Sequence, residues 1–165
     1  MRSRFAIAGL AAVAVAATGA GLASATASSG DDGHGRTFTV FSKTVQFAAI
    51  DLGDPGPSLG DQAVFSDDLF TDRGGSNVGS DGGVCTTVRQ DKSARTDTVQ
   101  CLVTFSFEGG QIATQALLTL DNGNFTGSQT GPVTGGSGEF RGAGGEVTVK
   151  FLSNDEADIT FDLDD

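Results

Sequence analysis

Between Thr134 and Val147 the chain reads Thr-Gly-Gly-Ser-Gly-Glu-Phe-Arg-Gly-Ala-Gly-Gly-Glu-Val, with six glycines among small residues. Directly after it an alternating run begins: Glu146, Val147, Thr148, Val149, Lys150, Phe151. Glycine reaches positive φ without steric penalty and lets backbones approach closely, so glycine pairs beside a strand pattern mark bulges, bends or corners. A phosphate cradle of the GxGxxG kind fails on context, because that loop must open a helix and β-branched alternation follows here. The segment reads as the corner of a closed β-barrel.

The rest of the chain agrees with a sheet closed on itself. Runs of four to fourteen strand-like residues recur at Thr37–Ile50, Gln62–Thr71, Val84–Arg89, Val99–Phe107, Gln111–Leu120, Asn124–Gln129, Gly138–Arg141, Glu146–Leu152 and Ala157–Leu163. Turn signals separate them: the Asp51–Gly60 loop with two of the three prolines, Gly74-Gly75, Gly109-Gly110 and Asn122-Gly123. Asn-Gly is the strongest two-residue hairpin signal. In the first run, alternation groups Phe41, Val45, Phe47 and Ala49 on one face. No stretch after the first 36 residues sustains a 3.6-residue period, so short antiparallel strands are expected throughout. Closure removes the exposed edges that invite aggregation. An immunoglobulin-like sandwich would be expected to carry a core Trp. This chain has neither Trp nor Tyr, and its aromatic core must come from twelve Phe, one of them near the N-terminus.

That N-terminus opens with Arg2 and Arg4, continues through an apolar run from Phe5 to Leu22, and meets small-residue sites at Ala23-Ser24-Ala25 and Ala25-Thr26-Ala27. A basic start, an apolar middle and an A-x-A ending describe a secretory signal peptide. The run is also near the lower length limit of an uncleaved membrane anchor, but the tandem sites and the polar Ser28–Asp32 favour cleavage after Ala25 or Ala27. The expected organisation is a signal peptide over 1–27, a flexible linker over 28–36 and one barrel domain over 37–165, in a secreted, extracellular protein. Losing Arg2 and Arg4 lowers the ten basic residues to eight and, against 21 acidic ones, takes the net charge from −11 to −13. Such a chain repels phosphate backbones and anionic lipid, which argues against nucleic-acid partners and against membrane attachment once the signal is gone.

After export, Cys85 and Cys101 meet an oxidising environment. Ser93 is equidistant from both, so a hairpin turning there sets them opposite each other, as a cross-strand disulfide requires. Two free thiols are the alternative, and an even count in an exported chain favours the bridge. Metal chemistry finds little support: two cysteines and one distant histidine, His34, cannot close a tetrahedral zinc shell. The acidic clusters Asp31-Asp32, Asp67-Asp68, Asp155-Glu156, and Asp162 with Asp164 and Asp165, lack the spacing of a calcium loop and read as solvated charge. His34 lies in the linker, which rules against a histidine-based triad.

Four segments taken in order resemble one family. Gly60-Asp61-Gln62-Ala63-Val64-Phe65-Ser66-Asp67-Asp68-Leu69-Phe70 is similar to the Gly-Asp…Phe-x-Asn-x-Leu segment of plant allene oxide cyclases, and Gly83-Val84-Cys85-Thr86-Thr87-Val88 to their Gly-x-Cys strand. Thr104-Phe105-Ser106-Phe107 with Gly110-Gln111-Ile112 and Gln115 resembles the next hairpin. Thr134–Phe140 with Gly145-Glu146-Val147 matches the glycine corner shared by those cyclases and dirigent proteins. The resemblance spans Thr44 to Leu163. It implies an all-β fold, a single antiparallel eight-stranded β-barrel of lipocalin-like shape, with an apolar cavity and commonly a homo-trimer.

The resemblance also implies a function. The cyclases fold an unstable allene-oxide fatty acid by cavity shape, helped by an acidic residue, an Asn and a bound water, whereas dirigent proteins orient radical coupling; neither uses a metal or organic cofactor. The expected ligand is a hydrophobic small molecule, lipid- or polyketide-like, with Phe47, Phe65 and Phe105 as candidate contacts. Asp51 is the best match to the acidic residue, and Asp67 stands where the cyclases have Asn, so both are candidate catalytic carboxylates. A carboxyl inside an apolar barrel has a raised pKa and can act as acid or base. Equally, Asp51 can cap a strand or turn the Asp-Pro-Gly loop, as Asp does routinely. Two function classes follow: a cofactor-independent cyclase or isomerase, and a non-catalytic barrel that binds or orients its ligand.

Overall fold

The computed structural model describes residues 35–164; the expected signal peptide and most of the linker, His34 included, lie outside the described residues. Nine strands follow in order: β1 Arg36–Ile50, β2 Gln62–Phe70, β3 Asn77–Asp91, β4 Thr96–Phe107, β5 Gly110–Asp121, β6 Asn124–Phe125, β7 Ser128–Gly136, β8 Gly145–Phe151 and β9 Glu156–Leu163. Every pairing is antiparallel. β1 to β5 form a meander, β5 pairs β7, β7 pairs β8, β8 pairs β9, and β9 returns to β1, which closes an eight-stranded barrel; the two-residue β6 only extends the β5 hairpin. Closure leaves no free edge.

Strand alternation sets one row of side chains inside the barrel. One end is filled: Phe38, Val40, Leu69, Phe107, Ile112, Val133, Phe140, Val147, Phe161 and Leu163 pack together there. Phe161 is fully buried, stacked on Phe38 at 4.9 Å and edge-on to Phe105 at 4.9 Å. The Phe-for-Trp reading of the core is thereby met by an interlocked set of rings, whose edge-to-face geometry is the favoured one.

The faces of β1 depart from simple alternation. A bulge between Thr44 and Gln46 inserts Val45 as an extra residue, so the strand changes phase halfway along. Before the bulge Val40 and Ser42 face inward, while Phe41 faces outward, covered by Phe70 and the Arg73 guanidinium. Beyond it Phe47 turns to the barrel mouth, and Val45 is 55% exposed. The expected single face of Phe41, Val45, Phe47 and Ala49 is therefore split by one residue.

The glycine corner folds as a plug. Gly138–Phe140 is a single 3₁₀ turn, not the strand expected there, and it delivers the Phe140 ring into the filled end. Gly138 sits at φ 63°, with Gly109 O so close that a β-carbon would collide with it. That requirement explains a glycine here in the way sheet propensity does not. β7 is the strand that sequence patterning missed, because Gly131, Pro132, Gly135 and Gly136 dilute its β-propensity. The Asn122-Gly123 turn is as expected, both residues at positive φ (50° and 79°).

Cys85 and Cys101 are register partners on β3 and β4 and are joined as a disulfide, with no free cysteine. Thiol titration of the unfolded, unreduced protein should find none. The bridge spans 16 residues in sequence, and a loop of that length restricts the unfolded chain by about 3 kcal/mol. Urea unfolding of Cys85→Ala/Cys101→Ala should show a loss near that size; a loss below about 1 kcal/mol would mean the hairpin holds its own register.

Candidate functional site

Above the packed end the barrel is hollow. A cavity of about 530 Å³ opens at the other end, within the 300–1,000 Å³ that usually holds a small molecule. Its floor is the top of the packed cluster, since Phe105, Ala157 and Ile159 belong to both. Its walls are Phe65, Cys85, Val99, Cys101, Leu118 and Phe151, and Phe47 and Phe125 stand toward the mouth. Phe125 and Phe151 stack in parallel at 4.8 Å. The disulfide is part of the inner wall, its cysteines 4% and 3% exposed.

Two carboxyls break this apolar lining. On β2, Phe65, Asp67 and Leu69 take the inward positions; on β3, Asp81 and Cys85 do; and Asp67 and Asp81 are direct register partners. Both are buried, at 9% and 6% exposure. The Ser42 hydroxyl, inward on β1, donates to Asp67 Oδ2 at 2.9 Å. Asp67 Oδ1 and Asp81 Oδ1 are buried with no hydrogen-bond partner among the described residues.

Like charges directly opposite in a strand pair destabilise the sheet. Here protonation removes the conflict. Burial raises the Asp81 pKa to about 8, the Asp67 charge adds to the rise, and the Asp67 backbone amide opposes both. At neutral pH Asp81 is therefore largely a neutral acid beside its partner, an arrangement that lets one pair serve as proton donor and acceptor.

The rim is fixed by other acids. Asp61 accepts from the amides of Leu52 (2.9 Å) and Ser58 (2.7 Å) and from the Ser58 hydroxyl (3.1 Å), which pins the Asp51–Gly60 loop and holds its pKa below the usual range. Glu156 is bound by Arg73 at 2.7 Å and Lys43 at 3.8 Å. Asp155 accepts from the Ser153 hydroxyl at 2.7 Å.

Of the sequence candidates, Asp67, Phe47, Phe65 and Phe105 all line the cavity, although Phe47 is 66% exposed at the mouth. Asp51 does not. It lies exposed beyond the end of β1 and accepts the Gly56 amide at 3.0 Å, the turn-forming role open to an Asp before Gly-Asp-Pro-Gly. Sequence reasoning missed Asp81 and Ser42. Asp81-Gly82-Gly83 looks like a turn, yet Asp67 and Asp81 are equidistant from Gly74, the same symmetry that paired the cysteines about Ser93. Among the described residues no group of three or more His, Cys, Asp or Glu is placed to hold a metal ion.

Comparison with known proteins meets this geometry. No curated protein matches the sequence. A solved pyocyanin demethylase shares 31% identity over 78% of this chain and 99% of its own, with a TM-score of 0.67. A Diels-Alderase from Streptomyces koyangensis has the same fold at 12% identity, over 81% of this chain and 70% of that one (TM-score 0.59). So does a pterocarpan synthase dirigent protein, at 18% identity over 78% and 82% (TM-score 0.58). Residues 36–161 match the allene oxide cyclase barrel like domain, and with the barrel, its cavity and its glycine corner in place, the chain belongs to that family.

Proposed function

We propose that this barrel is an enzyme that admits a largely apolar small molecule and moves a proton on it with Asp67 and Asp81. The observation that carries the reading is the facing pair of buried carboxyls, each with an unpartnered oxygen, on the wall of an apolar cavity. Asp81 is largely protonated near neutrality with the Asp67 carboxyl directly opposite, so the pair can take a proton from one atom of the ligand and return one to another. That is the chemistry of isomerisation, tautomerisation or ring closure, with the Phe-lined walls holding the ligand in its reactive shape. The 31%-identical barrel is named a pyocyanin demethylase, and other barrels of this fold are named a cyclase and a Diels-Alderase; these support a small organic substrate. The reading includes export, which the disulfide supports, and assembly as a trimer.

Native mass spectrometry of the secreted protein should retain the bound molecule, whose extraction supplies the substrate; pyocyanin is the first compound to assay beside it. Asp81→Asn keeps the shape and removes the titrating proton, so turnover should fall about a hundredfold while the molecule is still bound. Unchanged turnover, or a co-extracted molecule that the wild type never alters, would leave a dirigent- or lipocalin-like barrel that only binds and orients.

A further inference from the structure

The charges around the cavity are all of one sign. Asp61, Asp67, Asp81, Asp155 and Glu156 line it, and among the described residues no Lys, Arg or His does. Three of the five are already occupied: Asp61 by its three donors, Glu156 by Arg73 and Lys43, Asp155 by Ser153. The other two lie deepest, more than nine-tenths buried; Ser42 holds only one Asp67 oxygen, and each of the two keeps an oxygen that none of the described residues satisfies. A buried, unsatisfied acceptor is costly, so this pair is built for a donor or a cation that arrives with the ligand.

Which cation follows from the rest of the lining. A bare calcium ion takes six to eight oxygen ligands, and two carboxyls with one serine hydroxyl do not supply them. Phe47, Phe65, Phe105, Phe125 and Phe151 all line the same space, and aromatic faces attract organic cations. A fatty-acid carboxylate would instead meet an acidic rim and an acidic wall with no basic group to receive it.

We propose that the molecule taken by this cavity is a mostly apolar organic cation, with its charged nitrogen seated on Asp67 and Asp81. The proposal rests on the same site as the proposed enzymatic reading and names its substrate class. Binding has a proton balance. Around Asp81 the neighbouring strands present Asp67 from β2, Ser42 and Thr44 from β1 and Phe105 from β4, so Asp67 is the charged group facing it. A cation arriving there favours the ionised form of Asp81, so the Asp81 proton leaves to solvent as the cation enters.

Three ring systems of similar size test this by titration at pH 7.5: N-methylacridinium (a cation), acridine (neutral) and anthracene-9-carboxylate (an anion). The cation should bind at least about tenfold more tightly than the anion. Calorimetry in two buffers of different ionisation enthalpy should show proton release on its binding. In Asp67→Asn/Asp81→Asn, N-methylacridinium should fall to the affinity of acridine with no proton released, whereas Asp54→Asn, on the exposed loop, should change nothing.

Equal binding of the anion by the wild type overturns the proposal without recourse to any variant. So does an unchanged cation affinity in the double variant, or an equal loss in Asp54→Asn, which would assign the attraction to general surface charge. These readouts are affinities. A barrel that prefers the cation yet turns nothing over refutes only the enzymatic reading, and one that turns over a neutral or anionic molecule refutes only this one.

Discussion

Asp81→Asn should leave the domain nearly as stable as wild type at pH 4 and make it markedly more stable at pH 8 and above. In the folded barrel the Asp81 pKa is raised to about 8 from an ordinary 3.8, first by burial and then by the Asp67 charge. Between those two values the native state holds a proton that the unfolded chain has lost. Stability therefore falls as pH rises through the window, at up to about 1.4 kcal/mol per pH unit. Below pH 4 both states are protonated and the group is neutral in its effect; above pH 8 the native state carries a buried charge beside Asp67. The amide in Asp81→Asn cannot ionise, so the variant escapes this loss. With water penetration and relaxation reducing the full figure, its advantage at pH 8.5 should be about 2–5 kcal/mol, or about 10 °C in Tm for a domain of this size.

Thermal melts from pH 4 to 10 decide the matter. The two curves should separate progressively from about pH 5 and run parallel above pH 9. Asp67→Asn supplies the internal comparison: it removes the second cause and leaves the first, so the fall should remain but be smaller and level off at a lower pH. Superimposed melting profiles for wild type and Asp81→Asn would show that Asp81 ionises normally, and the protonated acid in the site would then have no basis.

The barrel was legible in the chain because its strands are separated by strong turn signals and because a disulfide and a glycine corner both constrain the closure. What was not legible lies where the period of two is interrupted. Val45 is an extra residue in β1, and every inward assignment after it moves by one. β7 carries four glycines and prolines in nine residues, so its strand character comes from pairing with β5 and β8 and not from propensity. In the same way, Gly138–Phe140 reads as a strand by composition, and only the crowding of Gly138 against Gly109 makes it a turn.

The site was half legible. Asp67 stood out through family resemblance, but Asp51 drew attention for the same reason and belongs to a turn. Residue type could not separate the two, since an Asp before Gly-Asp-Pro-Gly and an Asp on a strand differ only in the direction of the side chain. Asp81 needed the β2–β3 register, which the Gly74-Gly75 turn implied and the run of glycines after Asp81 obscured.

Phe161→Ala should cost about 3–5 kcal/mol, a large share of the 5–15 kcal/mol that holds a domain together. Phe161 is fully buried on β9 and touches rings from three directions: Phe38 and Phe105 at 4.9 Å and Phe107 at 6.0 Å. These neighbours come from β1 and β4, and closed strands cannot move inward to fill the space, so most of the ring volume should persist as a void. An apolar void of this kind stays dry and takes up small apolar molecules. Benzene should therefore stabilise Phe161→Ala by more than it stabilises wild type, whose own apolar cavity it can also enter. The damage should also reach the site, because Phe105 leans on Phe161 and is the register partner of Asp81. Phe47→Ala gives the contrast: its ring is 66% exposed at the mouth, so stability should change by less than about 0.5 kcal/mol while ligand binding weakens. If urea unfolding gave Phe161→Ala a loss under about 1 kcal/mol, the filled end would be soft, and the carboxyl pair would lack the rigid floor that keeps its oxygens facing the cavity.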